Sequence, residues 1–179
     1  MNSASPLSKV LRRDILKVAS LAALLGNSSA EAVAAEALPN QLPAISLLDL
    51  TGRSQLVNGF GGNVVMVNFW ATWCPPCRAE MPSIERLYQA FRGKPFEVLA
   101  INQGESMEKV KTNMGMFNPT PTFPILLDPK REVGKHFQVE DLPVSLLFNK
   151  KGQLVGIAKG ARDYSNPTVQ QSISALVNE

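Results

Sequence analysis

Cysteine and histidine are scarce in this chain, with two and one among 179 residues. A structural zinc site takes about four such ligands, and these three side chains fall short of one. No cysteine lies near residues 33–37, where small residues follow a short apolar stretch, so lipid attachment to a cysteine there is excluded. Long apolar runs are missing as well. Val18 to Leu25 is far shorter than the roughly 20 residues that an ordinary membrane-spanning helix needs. Charge of one sign is weak: 18 Lys and Arg face 15 Asp and Glu. Lys9, Arg12, Arg13 and Lys17 crowd the first 35 positions, opposed only by Asp14 and Glu31. The remaining 14 basic and 13 acidic residues leave a net of +1, too little to argue for a nucleic-acid partner. There is no internal repeat and no low-complexity segment.

What is present begins with a leader. Residues 1–35 read as an export signal, which leaves a single domain over residues 36–179. Arg12-Arg13-Asp14-Ile15-Leu16-Lys17 opens the apolar stretch, and Val33-Ala34-Ala35 is similar to a signal-peptidase site, with Ala35-Glu36-Ala37 as a second choice. The paired arginines ahead of Leu16 and Lys17 resemble the twin-arginine export motif. A general secretory signal with incidental arginines, or an uncleaved anchor, is the competing reading. Either route leads to the periplasm, where cysteine pairs persist in disulfide chemistry.

Past the leader, an irregular lead-in precedes a short strand over residues 44–50 and a turn at Thr51-Gly52. Val64-Val65-Met66-Val67-Asn68-Phe69-Trp70 is the unbroken, β-branched run of a strand covered on both faces. A helix is predicted from about Cys74, since proline is tolerated in a first turn, with a kink at Pro82 and an end at Gly93. Residues 96–101 form a second buried strand, and residues 106–117 a helix with Ser106 as its N-cap candidate. A proline-rich loop leads to Ile125-Leu126-Leu127, and Asp128 is placed to cap a short helix over residues 129–137. Residues 144–148 and 153–158 flank the hairpin signal Asn149-Lys150-Lys151-Gly152, and residues 168–177 close the chain as a helix. This order argues for an α/β domain with a mixed sheet.

The two cysteines stand three apart in Trp73-Cys74-Pro75-Pro76-Cys77-Arg78. A pair at this spacing switches between dithiol and disulfide and so carries two electrons. At the start of a helix, the Cys74 sulfur meets unpaired N–H groups and the positive end of the helix dipole, which favour thiolate over thiol. That makes Cys74 the expected nucleophile and Cys77 the thiol that resolves a mixed disulfide. Trp70 and Trp73 are expected to pack beside the pair and limit its solvation, with Trp70 the stronger candidate for the core. A structural disulfide and a chance spacing of buried cysteines stand against this reading; the position between a buried strand and a helix favours a redox motif.

Val67-Asn68-Phe69-Trp70-Ala71-Thr72-Trp73-Cys74-Pro75-Pro76-Cys77-Arg78-Ala79-Glu80-Met81-Pro82 resembles the active-site segment of the TlpA/ResA-like branch of the thioredoxin superfamily, exported and membrane-associated thiol-disulfide oxidoreductases. Ile101-Asn102-Gln103-Gly104-Glu105 is similar to that branch's glycine-glutamate motif, residues 106–127 to its helix-strand insertion, and Val139-Glu140-Asp141-Leu142-Pro143-Val144 to its cis-proline segment. The resemblance implies a thioredoxin-like fold: a central mixed β-sheet flanked by helices, an inserted helix-strand unit and an extra N-terminal strand region. It implies a cis Leu142–Pro143 peptide that presents the Leu142 backbone to a substrate strand, with Trp73, Pro75 and Pro76 on the same binding surface. It implies that Glu105 approaches the pair, helps move the proton that Cys77 must lose, and raises the thiol pKa values. The competing role for Glu105 is a solvated acid favoured by the helix that follows it. No cofactor is implied beyond the cysteine pair. The sequence departs from ordinary thioredoxins at Asn68, where a buried aspartate would assist the second cysteine. It departs again in the loop Pro119-Thr120-Pro121-Thr122-Phe123-Pro124, and mildly at Val144.

The function expected on this resemblance is a monomeric periplasmic reductant of protein disulfides. Its partners would be protein thiols and disulfides, such as those of apocytochrome c or copper-site proteins, and a membrane thiol transporter would supply electrons. The alternative is a copper(I) metallochaperone using Cys74 and Cys77, with His136 as a further ligand candidate. On its own, His136 reads as a solvated or packing histidine. A thiol peroxidase is disfavoured because its single-cysteine motif is absent.

Overall fold

A computed structural model describes residues 38–179; the export signal expected over residues 1–35 lies outside the described residues. Strand β3 (Val64–Trp70) is buried at all seven positions. Its alternation sends Val64, Met66 and Trp70 into one apolar cluster and Val65, Val67 and Phe69 into another. Parallel to it runs β4 (Phe96–Gln103), and beyond that, also parallel, β5 (Ile125–Asp128). On the other side β6 (Val144–Phe148) pairs antiparallel with β3, and β7 (Leu154–Lys159) pairs antiparallel with β6. A hairpin of β1 (Ser46–Asp49) and β2 (Ser54–Leu56) completes the sheet beside β5, giving the order β2-β1-β5-β4-β3-β6-β7.

Helices cover both faces. Helix α1 (Pro75–Ala90) and α4 (Pro167–Val177) pack on the cluster that contains both cysteines, and residues flanking and within α3 (Glu132–His136) pack on the other. Helix α2 (Met107–Asn113) with β5 forms the helix-strand insertion, and β1–β2 is the extra N-terminal strand region. The thioredoxin-like expectation therefore stands: strands alternate with helices from β3 to β6, and a hairpin and helix close the chain, as the sequence pattern required.

Local differences have local causes. The helix expected over residues 106–117 stops at Asn113 and continues as a 3-10 turn, Met114–Met116, around Gly115, a poor helix former. Phe117 then leaves in extended backbone to meet Trp70 edge-on, with ring centroids 5.7 Å apart. Ser106 does cap α2, accepting from the Lys109 N–H. Pro82 lies within α1 without ending it. Strand β2, which the sequence pattern does not announce, is three partly polar edge residues, too few to show a period.

Helix α3 is shorter than the expected residues 129–137 because the chain turns at Arg131, with φ of 58°. The helix has no side-chain cap at that position. Asp128 reaches past the turn instead, its carboxylate accepting the N–H groups of Glu132, Val133 and Gly134 and the Gln103 amide. Replacing Asp128 by Ala leaves buried donors unpaired and removes the cap together. The expected loss is about 3 kcal/mol, read as a lower urea midpoint at unchanged slope. A loss below about 1 kcal/mol would show that α3 is held by packing alone.

Candidate active site

Strand β3 ends at Trp70, and the chain passes through Ala71, Thr72 and Trp73 to the head of α1. Proline occupies the first two helical positions, where an N–H has no intrahelical partner and its loss costs little. The first turn's next donor, the Cys77 N–H, points at Cys74 Sγ from 3.2 Å. Cys74 is thus the N-cap residue of α1, with its sulfur taking the place of a capping oxygen. The two sulfurs are bonded to each other, with Cα atoms 5.3 Å apart. Cys74 keeps slight exposure and Cys77 none. A thiolate released at Cys74 therefore inherits a directed N–H donor, as its place at the helix start implies.

The tryptophans divide. Trp70 is fully buried, as expected, whereas Trp73 is 62% exposed and points away from the core. The expectation that both shield the cysteines fails for Trp73, because a side chain one residue before the cap sits on the outer rim of the turn. Trp73 is left as an exposed apolar surface one residue before Cys74.

At the same end of the sheet, the Leu142–Pro143 peptide is cis. Val144, the next residue, pairs with Phe69 of β3. The Pro143 carbonyl accepts from the Gly160 N–H. No hydrogen bond among the described residues uses the backbone of Leu142, which leaves that edge free. The Leu142 side chain packs against both apolar clusters.

Glu105 follows β4 and turns its carboxylate back to the β3–α1 loop. It accepts from the Thr72 N–H and hydroxyl, each at 2.6 Å, and from Asn102 at 2.9 Å, and it pairs with Lys109 at 2.9 Å. Burial alone would raise its pKa, but the bonds from Thr72, Asn102 and Lys109 outweigh it and hold the group down at about 2. The Glu105 carboxylate braces the loop at Thr72, two residues before Cys74.

A second carboxyl carries no motif in the sequence. Glu80 is 2% exposed on the inward side of α1, one turn beyond Cys77. Its Oε1 accepts from Asn68 at 2.8 Å and its Oε2 from the Arg162 N–H at 3.1 Å. Burial pushes its pKa up to about 7, against the opposing pull of Asn68 and of the Arg162 backbone and charge. A signal was available: Cys77, Glu80, Ile84 and Leu87 share one helical stripe, and an acid on an apolar stripe needs a reason. A cavity of about 300 Å³, lined in part by Glu80, Arg86, Arg162 and Asp163, opens beside it.

His136 stacks edge-on to Phe137, ring centroids 4.8 Å apart, between residues of the cluster that does not hold the cysteines. Among the described residues, no three His, Cys, Asp or Glu side chains gather as a metal site, so His136 does not join the cysteine pair. No helix among the described residues is long and apolar enough to cross a membrane.

Residues 37–173 match the Redoxin family model. The thiol-disulfide oxidoreductase ResA of Geobacillus kaustophilus is 36% identical over 129 residues, 70% of this chain and 71% of that protein. ResA of Bacillus subtilis is 33% identical over 130 residues, 69% and 72% of the two chains. The crystal structure of a candidate thiol:disulfide interchange protein, DsbE, from Chlorobium tepidum superposes with a TM-score of 0.71 at 25% identity, covering 79% of this chain and 99% of that one. With a capped cysteine pair at the head of α1 and about a third of its residues shared with relatives across seven-tenths of both chains, the protein belongs to the Redoxin family, as a ResA-like thiol-disulfide oxidoreductase.

Proposed function

We propose that this protein is exported and reduces disulfides in other proteins, such as the cysteine pairs of apocytochrome c or of copper-site proteins, with electrons from a membrane thiol transporter. The observation that carries the reading is the Cys77 N–H aimed at Cys74 Sγ beside an exposed Trp73 and the free backbone edge at Leu142. A partner strand laid on that edge brings its disulfide to the more accessible sulfur. The twin-arginine-like leader over residues 1–35 supports the compartment, and the domain that works there spans residues 36–179.

In the reducing direction the Cys74 thiolate attacks one substrate sulfur and the substrate disulfide breaks, leaving a mixed disulfide and a substrate thiolate. Cys77 then gives up its proton and attacks Cys74 Sγ. The second substrate sulfur leaves as a thiolate, the Cys74–Cys77 disulfide forms, and two electrons have passed to the substrate, whose thiolates take their protons from water. Asn68 has no proton to trade at neutral pH. Of the two acids, Glu105 is too weak a base to take the Cys77 proton and is suited to bracing Thr72 and supplying a fixed negative field. Glu80, near neutrality and one turn from Cys77, is suited to accept it and release it toward the adjoining cavity.

Trapping tests the order of attack. Cys77→Ala is expected to accumulate mixed disulfides with periplasmic proteins, visible on non-reducing gels and lost on adding a thiol, whereas Cys74→Ala accumulates none. Adducts on Cys77 in the Cys74→Ala protein would reverse the assignment. Equilibration with glutathione is expected to place the potential on the reducing side of the roughly −270 to −120 mV span of related pairs; a value near −120 mV removes the reductant role.

The carboxyls also predict the pH dependence of folding. Glu80 binds a proton more tightly folded than unfolded, so its contribution to stability is fully present below its ordinary pKa of 4.5 and is lost as pH rises through about 7. The loss is roughly 3 kcal/mol, and Glu80→Gln should abolish that slope in urea titrations between pH 5 and 8. Glu105 has the opposite sign: its contribution is present above pH 4.5 and lost as pH falls toward about 2. A Glu80→Gln protein with the same slope as the parent would show that Glu80 titrates normally.

A further inference from the structure

Both oxygens of Glu80 face N–H donors, Asn68 Nδ2 at one and the Arg162 backbone at the other. The arrangement suits the anion. Each oxygen keeps a second lone-pair site that can take a proton, but neither of these partners is an acceptor for it, and the protonated acid gains one only if a neighbour turns. Asn68 is the neighbour that can. Its two amide hydrogens go to Glu80 Oε1 and, at 3.0 Å, to Ser145 Oγ, while its own oxygen is buried without a partner. A half-turn of the amide puts that oxygen where the nitrogen stood, able to accept from a protonated Glu80.

The turned amide also needs Ser145 to donate rather than accept. Ser145 Oγ already receives the Tyr164 hydroxyl at 2.7 Å. With one lone pair filled by Tyr164, Ser145 can point its own hydrogen at Asn68 and still be hydrogen-bonded on both sides. One end of the Asn68 amide is unpaired in either state, so the turn exchanges one unpaired end for the other. Tyr164 is fixed in place and in charge. It is buried, its N–H donates to Ser83 Oγ, and burial pushes its own pKa up to about 12, keeping the hydroxyl protonated.

We propose that Tyr164 is a positioning residue for thiol-disulfide exchange, whose hydroxyl fixes Ser145 so that the Asn68 amide can turn over as Glu80 gains and loses its proton. The proposal rests on the reading of Glu80 as the proton acceptor for Cys77. The charged groups that share the cavity with Glu80 are Arg86 on its own helix and Arg162 and Asp163 on the loop before α4, with the Tyr164 hydroxyl within its electrostatic reach; β3 and β6 contribute no charged group. The Tyr164–Ser145–Asn68 chain therefore reaches Glu80 through neutral groups alone.

The test is carboxyl-carbon NMR of Glu80 across pH 4 to 9 in the oxidised protein, with resolution of a glutathione adduct on Cys74 followed over the same range in the reduced protein. Tyr164→Phe keeps the ring and removes the donor. Glu80 is expected to lose about tenfold in proton affinity, a fall of about one pH unit in its midpoint, with the pH profile of resolution moving alongside it. Ser145→Ala should produce the same fall, the double variant no more than either alone, and Ser145→Thr, which keeps a hydroxyl, little of it. Asn68→Ala should move the midpoint the other way, because the anion loses a donor. A Tyr164→Phe protein that is less stable yet titrates as the parent does would reduce Tyr164 to a packing residue and overturn the relay alone. A parent protein in which Glu80 shows no midpoint between pH 5 and 9 would overturn the acceptor role and the relay with it.

Discussion

A strand with no exposed residue leaves a polar side chain nowhere to go but into the protein. Strand β3 is such a strand, and Asn68 is its one polar residue. An unpaired amide in that position costs several kcal/mol, so its hydrogens must find acceptors inside. They find Glu80 on α1 and Ser145 on β6, the latter directly across the ladder from Asn68. Ser145 in turn takes the Tyr164 hydroxyl, and Glu80 takes the Arg162 N–H. One side chain in the middle of the sheet thus ties together the helix that carries the cysteines, the strand that follows Pro143 and the loop that enters α4.

The two carboxyls near the cysteines are a comparison of environments. Glu105 is buried among donors, two of them on Thr72 and one the Lys109 ammonium, and stays ionised. Glu80 is buried with two neutral N–H donors, and desolvation raises its pKa to about 7. The same chemical group is held ionised in one place and pushed toward neutrality in the other. The Arg162 charge does lower Glu80, but not enough to offset desolvation. This division of labour answers the question that Asn68 poses, since a chain lacking the usual aspartate on β3 still carries an acid a hydrogen bond away.

How legible each feature is in the sequence follows from how local its cause is. The β3 run, the proline-tolerant start of α1, the Ser106 cap and the Asn149-Lys150-Lys151-Gly152 turn are set by residues within a few positions, and each lies where its pattern puts it. Asp128 reads as a cap and is one, but the distance it spans depends on the left-handed turn at Arg131, which no periodicity announces. Glu80 escapes a sequence reading because its meaning lies in partners 12 and 82 positions away, Asn68 and Arg162. Tyr164 lies 19 positions from Ser145, beyond any window of helical or strand period. Trp73 departs from expectation for a different reason: in a short turn before a cap, one residue decides between core and solvent, and nearby aromatics carry no mark of which is which.

The topology explains why the exchange chemistry and the proton chemistry share one end of the sheet. Parallel β3 and β4 bring Cys74 and Glu105 to their common C-terminal end, and antiparallel β6 brings its N-terminal end, with Leu142 and Pro143, to the same place. A partner strand arriving there meets Cys74, Trp73 and an open backbone edge. Cys77 faces the other way, wholly buried, on the stripe of α1 that leads to Glu80. In the proposed exchange the sulfur that seizes the substrate therefore draws on the rim of the fold, and the sulfur that releases it draws on the interior. A helix that presents both from a single turn makes the two halves act in sequence, because the second sulfur reaches the first only across that turn.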